Sequence, residues 1–246
     1  MSLFEALVQE VRERLAPAAS PLALQDSGPL PEARARSGLI LQSEAACELG
    51  APQKGSALAA LYSNAKTADA AFLAGRPLSE IAGQSVDFAL VLIASGQSLD
   101  AETFYQLTVR LPRLADHPGW MVKIDKTRIW VRVGREGAQK ALEKAAATLT
   151  ARIHAAFEAV EGVELYFVVD DAALVKELEP AAQKAQALLR EVKTGVWKER
   201  GFDYESCELT GHCGACADKK TCASVRKIQA RVNVYRKQRQ TQEQHV

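Results

Sequence analysis

Residues 2–16 repeat apolar side chains at helical intervals: Leu3, Phe4, Leu7, Val8, Val11 and Leu15, with glutamates and arginines between them. This spacing predicts an amphipathic helix. Its apolar stripe has two uses open to it, packing on its own domain or docking on a partner as an arm. Pro17, Pro21, Pro29 and Pro31 then break the pattern, with Gly28 and serines among them, so residues 17–36 read as a linker.

From residue 37 the period changes. Gly38–Gln42 reads as a short strand, and Asp87–Ala94 (DFALVLIA) is a nearly continuous apolar run of the kind that forms a strand buried on both faces. Asp100 can cap a helix whose apolar stripe is Phe104, Leu107, Leu111 and Leu114, with Pro112 bending or ending it. Trp120–Ile124 and Arg128–Val133 flank Asp125, Lys126 and Thr127. The second run alternates Ile129, Val131 and Val133 with Arg128, Trp130 and Arg132, which predicts a β-hairpin. An alanine-rich helix is expected over Glu136–Val160, closed by Gly162. A buried strand at Val163–Val169 (VELYFVV) follows, then a helix from about Ala172 to Val192 capped by Asp170 and Asp171.

Strands alternating with helices predict an α/β fold, a mixed sheet flanked by helices, over residues 37–195. Residues 1–36 form the helix and linker before it. Residues 196–246 form a cysteine-rich segment that ends in a basic helix. No internal repeat is visible.

Composition narrows the class. The chain has 246 residues, 48% of them hydrophobic, enough for a real core and too many for disorder. A net charge of +1 argues against general affinity for nucleic acid or acidic membranes. The longest nearly continuous apolar run, Val86–Ala94 with Asp87 inside it, is too short to span a bilayer. No basic segment followed by an apolar one opens the chain, so a cytoplasmic location is expected.

The cysteines carry the chemistry. Four of the five lie in one window, Cys207, Cys213, Cys216 and Cys222, spaced Cys-x5-Cys-x2-Cys-x5-Cys. Disulfides would staple distant loops, which a chain of this length does not need, so clustered thiols point to a metal. Four thiolates are the ligand set of a 4Fe-4S cluster and also of tetrahedral zinc. Zinc modules usually present two Cys-x2-Cys knuckles, whereas here one pair, Cys213 and Cys216, is flanked symmetrically. Lys219, Lys220 and Arg226 would offset a cluster's negative charge. These features favour iron–sulfur and leave zinc as the alternative.

His212 could replace a thiolate, but four cysteines leave it a supporting or solvent-facing role. His154 reads as a satisfied histidine within a helix. His117 falls in a loop, His245 in the tail, and Cys47 reads as a small buried residue. From Ala223 to Val246 six lysines and arginines face one acid, Glu243, a basic surface on which a protein partner could dock.

In order along the chain, SEAACELGAP, PGW with TRIWVRVGRE, VELYFVVDDAALVKELEP and YESC resemble segments of the central region of acetyl-CoA synthase, the β subunit of carbon monoxide dehydrogenase/acetyl-CoA synthase. The resemblance spans about residue 37 to Cys222. It implies that Cys207 matches the first ligand of a 4Fe-4S cube and that Trp130 matches a tryptophan of a CoA-associated domain. A sheet-surface aromatic is the equal alternative for Trp130. The family holds its distal nickel with a Cys-Gly-Cys chelate, and Cys213-Gly214-Ala215-Cys216 has one residue too many for that. Nothing here corresponds to the family's large C-terminal catalytic domain.

The expected function is therefore a 4Fe-4S protein serving as an electron-transfer or accessory component in CoA-thioester or one-carbon metabolism, with no complete acetyl-CoA synthase activity. The alternative is a zinc-stabilised module whose basic helix contacts nucleic acid or an acidic protein. An enzyme with an open iron or a nickel neighbour is a third possibility.

Overall fold

The two runs that read as doubly buried strands form the middle of a sheet. In the computed structural model, β6 (Phe88–Ser95) and β9 (Gly162–Val169) lie antiparallel, and every residue of both is buried. The structure describes residues 3–24, 40–51, 53–117, 119–135 and 138–199, with side chains as far as residue 193. The chain divides into two units, Met1–Thr194 and Gly195–Val246, and all described side chains belong to the first.

β3 (Ser56–Ser63) pairs parallel with β6, and β4 (Ala70–Gly75) pairs parallel with β9. β1 (Ala19–Leu22) adds antiparallel to β4. The five-stranded order is β1-β4-β9-β6-β3. A second, four-stranded sheet has the order β5-β2-β8-β7, from β2 (Ala45–Leu49), β5 (Ser85–Val86), β7 (Trp120–Asp125) and β8 (Arg128–Gly134). Both sheets are mixed: β2 runs parallel to β5 and antiparallel to β8. Register places Leu58, Leu90 and Phe167 on one face of the larger sheet. Trp120 of the smaller sheet meets Phe167 there edge to face, with ring centroids 6.1 Å apart. The core is shared by the two sheets.

Four helices flank them: α1 (Leu3–Leu15), α2 (Ala101–Leu114), α3 (Ala138–Ala156) and α4 (Ala172–Glu199). On α1 the stripe of Phe4, Leu7, Val8, Val11 and Leu15 is buried, while Leu3 is 72% exposed. Phe4 contacts Tyr62 of β3 and Phe104 of α2, at centroid distances of 4.8 and 5.8 Å. The helix thus packs on its own domain. Asp100 caps α2 by accepting from the Thr103 N–H, and Asp171 Oδ1 accepts from Leu174 N–H at the start of α4. Arg152 of α3 donates to the carbonyls of Leu114 and Asp116, fastening α3 to the end of α2.

Four details depart from the expectations. The first strand of the domain is Ala45–Leu49; within the expected Gly38–Gln42, Ile40 and Leu41 are irregular and Gln42 opens a short 3-10 turn. Residues 19–22, expected as linker, form β1, because Pro21 can occupy an edge strand. α3 ends at Ala156, and Gly162 begins β9 rather than closing the helix. Pro112 is accommodated in the last turn of α2, which continues to Leu114.

Candidate functional site

The four clustered cysteines, Cys207, Cys213, Cys216 and Cys222, lie outside the described residues, as do His212, His245 and the basic tail from Ala223. What the structure does define is the chemistry available elsewhere. Cys47 lies on β2 at 1% exposure, and burial pushes its thiol up to about 11. A thiol held protonated in an apolar site is neither a ready ligand nor a nucleophile. Among the described residues no group of three or more His, Cys, Asp or Glu side chains could hold a metal ion.

Both described histidines have structural engagements. His154 Nε2 lies 2.9 and 3.1 Å from the two Asp69 carboxylate oxygens, and its Nδ1 lies 3.1 Å from the Val160 carbonyl. Asp69 Oδ1 also accepts from Val163 N–H at 2.9 Å, so the pair clips α3 to the start of β9. His117 Nδ1 accepts from Gly119 N–H at 3.2 Å. Desolvation lowers its pKa, and the positive charges of Arg152 and Lys144 add to this.

Trp130 occupies the outward register of β8 opposite Lys123. The Arg132 guanidinium stacks over its ring at 4.8 Å from the centroid and is itself paired with Glu48 at 2.7 Å. The indole N–H is buried without a partner among the described residues. Trp130 is thus a half-buried aromatic on the sheet surface, held by a cation–π contact.

One charged cluster was invisible to hydrophobic patterning. Glu164 stands inside the VELYFVV run and is buried. Arg12 of α1 reaches it with two donors, Nε at 3.1 Å and Nη2, and the Tyr166 hydroxyl donates to Glu164 Oε2 at 3.0 Å. A carboxylate in an apolar strand requires a cation; Arg12, alone among the apolar residues around it in helical phase, is the signal that could have been read.

The described cavity lies at the outer edge of β3. It has a volume of about 420 Å³ and is walled by α2, by α4 and by the β7–β8 turn. Leu58 and Ala60 form its floor, and its lining includes Lys126, Arg190 and Lys193 but no aspartate or glutamate.

The described part of the chain is an α/β protein with two mixed sheets flanked by helices. No helix of the described residues is long and apolar enough to cross a membrane. No family model and no curated protein matches the chain.

Proposed function

We propose that the chain is a cytoplasmic iron–sulfur protein, related to the β subunit of carbon monoxide dehydrogenase/acetyl-CoA synthase. In this reading Cys207, Cys213, Cys216 and Cys222 hold one 4Fe-4S cluster, and the protein serves as an electron-transfer or accessory component of a larger enzyme system. The observation that carries it is the Cys-x5-Cys-x2-Cys-x5-Cys spacing. Four thiolates within sixteen residues give one ligand to each iron of a cube, and Gly214 frees nearby backbone amides to bond sulfur. A cluster so bound supplies one-electron chemistry. The chain's own contributions are the thiolates, the surrounding charges Lys219, Lys220 and Arg226, and the α/β unit as a rigid base.

The remaining parts of the reading follow from that site. The basic tail, with its six lysines and arginines, would present a docking surface for a protein partner beside the cluster in sequence. It has one aromatic, Tyr235, so it lacks the stacking residues expected of a single-strand binder, and nucleic acid is the less favoured partner. CoA or a CoA thioester as ligand rests on Trp130 alone. Its test is whether CoA perturbs the indole fluorescence in the full chain and whether Trp130→Phe abolishes the response.

Anaerobic purification with iron, sulfide, nickel and zinc analysis tests the main reading. The expected result is brown protein with about four irons and four sulfides per chain, reduced in one-electron steps. Each Cys→Ser change at the four positions should lower the iron content. A colourless protein carrying one zinc and no sulfide would replace this reading with a zinc-stabilised binding module. Stoichiometric nickel would instead revive an enzymatic role.

A further inference from the structure

We draw no further inference here: the strongest candidate, the cleft at the free edge of β3 between α2, α4 and the β7–β8 turn, carries none, because nothing among the described residues shows what covers it.

Discussion

Arg12 of α1 and Glu164 of β9 form an ion pair across 152 residues of sequence, with both Arg12 Nε and Nη2 on the carboxylate. The Glu164 side chain is 9% exposed and that of Arg12 27%, so the pair is a shielded point at which α1 is fixed electrostatically to the larger sheet. Removing one member leaves a charge that cannot be rehydrated without opening the packing. Arg12→Met should therefore cost about 3 kcal/mol in urea unfolding. Adding Glu164→Leu to it should restore most of that loss, because the orphaned carboxylate is then gone. Purely additive effects in this double-mutant cycle would show that the pair contributes no coupling.

Tyr166 completes the cluster. Burial pushes its phenol up to about 12, aided by the charge of Glu164 and its hydrogen bond to that carboxylate. It therefore remains a proton donor throughout the neutral range. Tyr166→Phe should cost about 1–2 kcal/mol, the loss of one hydrogen bond to a charged group, while the stacking on Phe72 (centroids 4.7 Å apart) is retained. Far-ultraviolet dichroism followed in denaturant would read this shift; a destabilisation of several kcal/mol would mean that the ring packing itself had changed.

The strands that patterning identified are those whose side chains declare burial. DFALVLIA and VELYFVV are rich in branched and aromatic residues, and the alternation of IWVRV separates an inner from an outer face. β3 (SALAALYS) and β4 (AAFLAG) escaped notice because alanine has low strand preference and their periodicity is weak. They are strands because the sheet centre offers partners on which small side chains pack, a tertiary effect absent from local sequence. The candidate cysteines were legible for a different reason: ligand spacing is a local property. The β3 cleft could not be read in advance, since its edge is defined by strand order and its charges come from residues far apart in the chain.

His117 makes a signed prediction about pH. Its folded-state pKa lies below the ordinary value of 6.5, because desolvation and the nearby cations Arg152 and Lys144 disfavour the imidazolium. The unfolded chain therefore binds the proton more readily, so stability is fully present above about pH 6.5 and is lost as pH falls from there through the folded value. The His117 contribution to the slope is at most one proton. His117→Gln, which keeps an acceptor for Gly119 N–H, should flatten the dependence over that window; an unchanged slope would assign it to other groups.

Two glycines with positive φ should respond differently to alanine. Gly75 (φ +93°) ends β4, and a Cβ there would collide with the Val169 carbonyl, which also accepts from Arg76 N–H at 2.9 Å. Gly83 (φ +75°) has open space around the same atom. Gly83→Ala should cost about 1 kcal/mol, the conformational term alone. Gly75→Ala adds displacement of backbone at the β4–β9 ladder and should cost about 3 kcal/mol. Thermal unfolding of the two variants side by side measures the difference, and equal losses would show that the β9 end relaxes freely.

Thiol reactivity separates the buried cysteine from the four that are proposed to bind metal. With its thiol at about 11, Cys47 is only about one-thousandth thiolate at pH 8, and it is also 1% exposed. In the folded protein it should resist iodoacetamide whether or not metal is bound. Cys207, Cys213, Cys216 and Cys222 should be protected while ligated and become alkylated once the metal is stripped, and urea should then expose the fifth site. Mass spectrometry would thus count no labels, then four, then five. Four labels before stripping would remove the case for a metal at these thiols, whereas early labelling of Cys47 would show that β2 opens in the native state. Because ligation and burial protect by different means, a chelator discriminates them: it can release the clustered thiols but cannot ionise Cys47.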